Sequence, residues 1–385
     1  MVPHQPGRLL QGWDVFAHAV VLYGRQHGLS QLFVLQDATG DLAPVPFEED
    51  VYTVRADQNP EFDAPSVRFR YESLVTPRTV SALDLATGAQ TVLKQHQIPG
   101  YDPTAYLAER LWATAPDGTQ IPISLVRHRD TAAPAPALLS GYGSYGFSSD
   151  PSFDPLFDAH RPSLLDRGLA VAIAHVRGGE EMGRAWYEDG KLLHKTNTFT
   201  DFIACADHLV ETGRTTPDRL AISGTSAGGL LMGAVLNRRP DLARAVLARV
   251  PFVDVMRVML DPSLPLTTGE FREWGDPRDP AFRDYIAAYS PMENIAPAAY
   301  PQILTTAGLN DHQVPYWQPV KWVAHLRSTA TGGPFLLRIN LGAGHGGAAG
   351  RYDLLREIAH DQAFLLTALG AVDIPPRQRD ASPPA

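Results

Sequence analysis

A single pentapeptide, Gly224-Thr225-Ser226-Ala227-Gly228, limits what this chain can fold into more than any other feature. An apolar run, Leu220–Ser223, enters it, and a stretch rich in Leu, Met and Ala leaves it and extends to Arg238. A Gly-x-Ser-x-Gly turn between a strand and a helix predicts a sharp bend with the serine hydroxyl exposed at its tip. The glycines let strand and helix approach closely, and the serine must hold a strained backbone conformation. The Ala227 N–H then lies at a helix N-terminus, where it can stabilise a developing oxyanion. Out of context the same pattern would be a glycine-rich turn carrying a solvated serine.

The surroundings supply that context. Short apolar runs at Ala137–Ser140, Ala170–His175, Leu220–Ser223, Ala245–Val250, Gln302–Ala307 and Phe335–Asn340 alternate with amphipathic segments. One segment is expected to start at the cap Asn197 and to bury Phe199, Phe202, Ile203, Ala206 and Leu209. Others span about 227–238, 317–328 and 352–369. Continuously apolar strands alternating with helices predict an α/β fold, a mostly parallel sheet covered on both faces. A hairpin, Leu111–Ala115 with Ile121–Arg127 around Pro116-Asp117-Gly118, leads into it.

The first hundred residues read differently, as short strands between turns, including Ala19–Tyr23, Leu32–Leu35, Arg68–Tyr71 and Val80–Leu83. Asp37-Ala38-Thr39-Gly40 recurs 48 residues later as Leu85-Ala86-Thr87-Gly88. That period suits a propeller blade, and equally suits two unrelated hairpin turns.

A serine hydroxyl is a poor nucleophile until a base takes its proton. With this turn the expected order is Ser, then an acid, then His. Of the later histidines, His325 and His360 fall within predicted helices. His345 follows the last strand in the loop Gly342-Ala343-Gly344-His345-Gly346-Gly347. The acid should close another strand, and Asp311 does so after Gln302–Ala307. Asp254, after Ala245–Val250, is the competitor but lies one strand early. Ser226, Asp311 and His345 in these roles define acyl transfer without distinguishing a peptide from an ester.

Composition excludes other classes. A net charge of −9 spread along 385 residues argues against a nucleic-acid partner. Cys205 is the only cysteine, so no intramolecular disulfide can form, which suits a reducing cytoplasm. It sits in an apolar helical pattern and reads as a buried, inert thiol. Met1–Arg8 lacks a signal-peptide pattern, and no apolar run approaches the ~20 residues of a membrane span. No metal cluster, phosphate loop or cofactor motif appears, so neither metal nor cofactor is expected.

Longer motifs add a resemblance. Gly141-Tyr142-Gly143-Ser144-Tyr145-Gly146, His175-Val176-Arg177-Gly178-Gly179, Trp186-Tyr187-Glu188-Asp189-Gly190-Lys191 and Asn197-Thr198-Phe199 are similar to the prolyl oligopeptidase family of serine peptidases. Val250–Val255, Pro265–Glu270, Tyr316-Trp317 and Gly344–Gly347 resemble its branch that cleaves after basic residues. The likeness runs from about 20 to 370. It implies an α/β-hydrolase fold and cleavage of short peptides after Arg or Lys. It also implies Tyr142 as a second oxyanion donor beside Ala227, and Phe252 packing on the stem of the residue before the cut (P1). Glu270 would hold the P1 cation, and Asp150 and Gln313 would line the neighbouring P2 region.

Two positions depart from the family pattern. Arg272 stands where a second acid follows Glu270, and Ser152 stands where one follows Asp150. Arg272 could pair with Glu270 and compete with substrate, or point into solvent. If it blocks the basic pocket, an esterase or an acylaminoacyl-peptidase-like hydrolase is the alternative. The resemblance also implies a seven-bladed propeller ahead of the catalytic domain. Only its last one to two blades are expected here, at 1–98, followed by the catalytic domain at 99–377 and a disordered tail at 378–385. A chain of that form is expected to be a late-starting, truncated or fragmentary product, poorly soluble and weakly active or inactive.

Overall fold

The computed structural model describes residues 2–3, 5–36, 40, 42–153 and 161–372. Residues 37–39 of the expected turn at 37–40 and the tail expected at 378–385 lie outside them.

Two four-stranded antiparallel sheets come first. One comprises β1 (Arg8–Phe16), β2 (Ala19–Gln26), β3 (Leu29–Gln36) and β4 (Leu42–Pro44) in sequential order. The other comprises β5 (Tyr52–Ala56), β6 (Ser66–Ser73), β7 (Thr79–Asp84) and β8 (Gln90–Gln95). Each is a meander of blade form, and inward-facing Phe16, Val21, Leu32, Val54, Phe69 and Leu83 share one apolar core. The Ser30 hydroxyl accepts the Val54 N–H at 2.7 Å and ties the two sheets together. Leu85-Ala86-Thr87-Gly88 forms the β7–β8 turn, with Asp84 accepting the Ala86 and Thr87 amides.

The second unit is an eight-stranded sheet. Its strands are β9 (Tyr106–Thr114), β10 (Gln120–His128), β11 (Ala137–Ser140), β12 (Ala170–Ala174), β13 (Leu220–Thr225), β14 (Ala245–Arg249), β16 (Gln302–Gly308) and β18 (Phe335–Asn340). They lie in the order β18-β16-β14-β13-β11-β12-β10-β9. Only β10 runs against the rest. The short strands β15 (Ala299–Tyr300) and β17 (Thr331–Gly332) pair separately. The helices are α1 (Arg161–Leu165), α2 (Arg184–Glu188), α3 (Thr196–Glu211), α4 (Ala227–Arg238), α5 (Val255–Met259), α6 (Thr267–Trp274), α7 (Pro280–Tyr289), α8 (Trp317–Thr329) and α9 (Arg351–Ala368). One face is covered by α3, α4 and α8, through Phe199, Phe202, Leu230 and Trp322. The other is covered by α1 and α9, through Leu164 and Leu365. Each such fully buried side chain contributes about 1.5–3 kcal/mol of transfer free energy. Helix α3 begins at Thr196, so Asn197 lies in its first turn and does not cap it; its amide donates instead to the Asp189 carbonyl at 2.9 Å.

This topology fixes where a site can form. From β11 the chain moves outward to β12, then crosses to β13 on the other side. The β11/β13 boundary is therefore a topological switch point, where ligands bind beyond the carboxyl ends of the strands.

Candidate active site

Ser226 stands at that switch point, between β13 and α4. Its φ of 59° and ψ of −117° lie where an L-residue is strained. Two backbone bonds hold it there: its N–H donates to the Arg249 carbonyl at 2.9 Å, and its carbonyl accepts from Phe252 at 3.1 Å. A Cβ on Gly224 would lie 2.1 Å from the Gly228 carbonyl oxygen, so the strand and helix can pass only with glycine there. Ala227 opens α4, and its amide is one that intrahelical bonding leaves unpaired.

The loops after β16 and β18 bring Asp311 and His345 together. His345 Nδ1 lies 2.7 Å from Asp311 Oδ2. The other oxygen of Asp311 accepts the Gln313 and Val314 amides at 2.8 and 2.9 Å. Burial pushes this carboxyl up. The His345 hydrogen bond and the two amides outweigh burial and hold it below the ordinary carboxylate range. With Nδ1 donating to the carboxylate, Nε2 of His345 is left as the basic nitrogen. The histidine loop is fastened at several points. Asn310 N–H donates to the Ala343 carbonyl at 3.0 Å. Glu357 of α9 accepts Asn340 Nδ2 at 2.6 Å and the Ala348 N–H at 3.0 Å. Asp254, the competing acid, is buried and paired with Lys321 instead.

Ser226, Ala227 and His345 line a cavity of about 470 Å³ together with Tyr142, Tyr145, Phe252, Glu270 and Gln313. Tyr142 follows β11. Burial, with the charges of Glu273 and Glu270 adding to it, pushes its hydroxyl up to about 12, so it remains a donor at neutral pH. Glu270 lies on α6, and its Oε2 accepts both the Tyr145 hydroxyl and Trp274 Nε1–H at 2.8 Å. Burial raises its pKa, the two donors oppose that, and the charge of Glu273 adds to the rise. Phe252 packs on Trp274, ring centroids 5.6 Å apart.

Two expected residues sit elsewhere. Asp150 does not line this cavity; it forms an ion pair with buried Arg25 of β2, with Arg55 of β5 at 3.6 Å. Arg272 is exposed on α6, outside the cavity lining, and no ion pair joins it to Glu270 among the described residues.

The model of the prolyl oligopeptidase family matches residues 155–372, and that of the prolyl oligopeptidase N-terminal β-propeller domain matches 1–96. The chain belongs to the prolyl oligopeptidase family. Within that family it is 47% identical to a dipeptidyl aminopeptidase BI of Pseudoxanthomonas mexicana, over 96% of this chain and 51% of that protein. It is 44% identical to protease 2 of Moraxella lacunata, over 96% of this chain and 53% of that protein. The solved oligopeptidase B of Leishmania major superposes with a TM-score of 0.87 at 44% identity, covering 96% of this chain and 53% of that one. The chain thus spans about half the length of these relatives.

Three residues that line or brace this site escaped sequence reasoning. Lys195 is fully buried and donates to the Gly143 carbonyl and to Ser144 Oγ at 2.8 Å, bracing the Tyr142 loop. Glu273 is buried and accepts the Tyr145 N–H at 2.9 Å and the Tyr187 hydroxyl at 2.7 Å. Tyr145, quoted only as part of a motif, has φ 61° and reaches Glu270. The one available signal was a bulky residue inside the glycine-rich run Gly141–Gly146, where a turn can force a positive φ. A lysine or glutamate near a helix end reads as solvated.

Proposed function

We propose that this chain is a serine oligopeptidase that cleaves short peptides on the carboxyl side of arginine or lysine, with residues 99–377 as its catalytic domain. The observation that carries the reading is the 2.7 Å contact of His345 Nδ1 with Asp311, with His345 lining one cavity together with Ser226 and Glu270. Ser226 Oγ attacks the scissile carbonyl and His345 Nε2 takes its proton. The tetrahedral oxyanion is held by the Ala227 N–H and the Tyr142 hydroxyl. His345 then protonates the leaving amine, and water resolves the acyl-enzyme by the same route in reverse. Asp311 keeps the imidazole in the required tautomer. The P1 cation meets Glu270, and its stem lies along Phe252. Gln313 stands near P2, where Asp150, already engaged by two arginines, offers no free carboxylate. The single buried cysteine favours a cytoplasmic setting.

A second reading, an esterase or acylaminoacyl-peptidase-like hydrolase, draws on the apolar wall formed by Val258, Leu264, Pro265 and Leu266. Turnover of Arg-, Lys-, Phe- and Pro-arylamides separates the two. The peptidase reading expects the basic substrates to be preferred and Glu270→Gln to abolish that preference. Equal rates on all four would favour the esterase reading.

A further inference from the structure

Glu270 meets its cavity half engaged. A carboxylate oxygen has two lone pairs, and both on Oε2 are taken, one by the Tyr145 hydroxyl and one by Trp274 Nε1–H, each at 2.8 Å. Both donors are positioned from behind, although the Tyr145 side chain itself is exposed. Trp274 is fully buried and lies one helical turn beyond Glu270 on α6. Tyr145 is held in its unusual φ of 61° by its N–H bond to buried Glu273, and its ring meets Trp274 edge-on at 5.7 Å. Arg272 is exposed and supplies neither a competing cation nor a second acid to the cavity. Glu270 therefore offers an incoming cation one oxygen, Oε1.

We infer that Tyr145 and Trp274 are specificity-determining positioning residues, which make Glu270 bind a P1 cation through a single oxygen and so remove the usual advantage of arginine over lysine. The inference rests on the reading of Glu270 as the P1 cation partner. The physical reason is geometric. Arginine gains over lysine at a carboxylate by the parallel fork, two N–H groups each bonded to a different oxygen. With Oε2 saturated the fork cannot close. A guanidinium and an ammonium then each bond Oε1 alone, and their affinities converge.

The test uses the 385-residue chain carrying Ser226→Ala, which binds without turnover. Dissociation constants of N-acetyl-arginine amide and N-acetyl-lysine amide are measured by calorimetry. They are expected to agree within about threefold, since neither ligand makes a bond the other cannot. A larger preference for arginine would overturn the inference without any further variant. Adding Tyr145→Phe keeps the ring contacts and reopens one lone pair on Oε2. Arginine amide should then bind about tenfold tighter while lysine amide changes by less than about threefold, a fraction of one charge-assisted hydrogen bond. An equal loss for both ligands, the mark of a merely structural role, would overturn the inference, as would an unchanged ratio. Adding Glu270→Gln separates the two levels. If it leaves both affinities intact, or if neither ligand binds the Ser226→Ala chain, the P1 reading itself fails and the inference falls with it. If Glu270→Gln abolishes binding while Tyr145→Phe leaves the ratio unmoved, the P1 reading stands and only the inference fails.

Discussion

Replacing Asp311 by Asn separates a hydrogen-bond partner from an orienting acid. In the structure one oxygen of Asp311 accepts the Gln313 and Val314 amides, and the other faces His345 Nδ1. An asparagine must keep its single carbonyl oxygen on the two amides, because turning it would leave two N–H groups facing an NH2. Its NH2 then points at His345 Nδ1 and makes that nitrogen an acceptor. The proton moves to Nε2, so the imidazole can no longer take the Ser226 proton. A wrong tautomer of this kind costs about 10⁴ in kcat, or about 5.5 kcal/mol. KM should change less than about threefold, since Asp311 does not contact substrate in this account. Exchanging one charge-assisted bond for a neutral one should lower stability by only about 1–2 kcal/mol. Steady-state turnover of an arginyl arylamide and a urea melt read both quantities. The stability gap should also depend on pH. Asp311 has a depressed folded pKa, so its contribution is complete above the unfolded value of about 4 and is lost as pH falls through the folded one. A kcat within tenfold of wild type would refute the assignment. If Asp254→Asn instead abolished turnover in a folded protein, the acid would belong to the loop after β14.

Three further outcomes are expected. Tyr142→Phe should lower kcat by about 10²-fold, roughly 3 kcal/mol, with KM nearly unchanged; a KM-only effect would make Tyr142 a wall of the cavity and not an oxyanion donor. Glu357→Ala should lower kcat about tenfold or more at constant KM by loosening the His345 loop, with Glu357→Gln intermediate; unchanged kcat in both would mean that the loop holds itself. Burial drives Lys195 down to about 8, so the folded chain releases that proton before the unfolded chain, whose lysines titrate near 10.4. Stability should therefore rise between about pH 8 and 10.4, by up to about 1.4 kcal/mol per unit, when measured as the difference between wild type and Lys195→Met; a flat difference would refute the shift.

The parts of this protein written in local sequence were readable in advance. Strand, turn and helix around Ser226 are contiguous, and the strained φ at the serine follows from its flanking glycines. Asp311 and His345 each close a strand, so strand order alone brought them to one edge of the sheet. The 48-residue repeat corresponded to two blade-like sheets, although one of its two turns lies outside the described residues. Contacts between distant segments were not readable. Asp150 meets Arg25 across 125 positions, from a strand of the first blade. Nothing local to either residue signals that pairing. Arg272 raised a question about Glu270 that sequence left open, because no helix was expected there; on α6 two residues is more than half a turn, which turns Arg272 away. The partner of Glu270 is instead Trp274, at the i+4 spacing that faces it, together with Tyr145 from another loop. Asn197 looked like a cap by residue type, but α3 starts one residue earlier, where buried Lys195 anchors the chain to the Tyr142 loop.

Covalent labelling is the most direct measure of whether Ser226 is a nucleophile activated by His345. The intact 385-residue chain and its His345→Ala variant are treated with a fluorophosphonate, and the adduct is mapped by peptide mass spectrometry. One adduct is expected on the wild-type chain, at Ser226, with labelling slowed by at least about 10³-fold in the variant. An adduct at another serine, no adduct on the folded chain, or equal labelling of both proteins would contradict that activation.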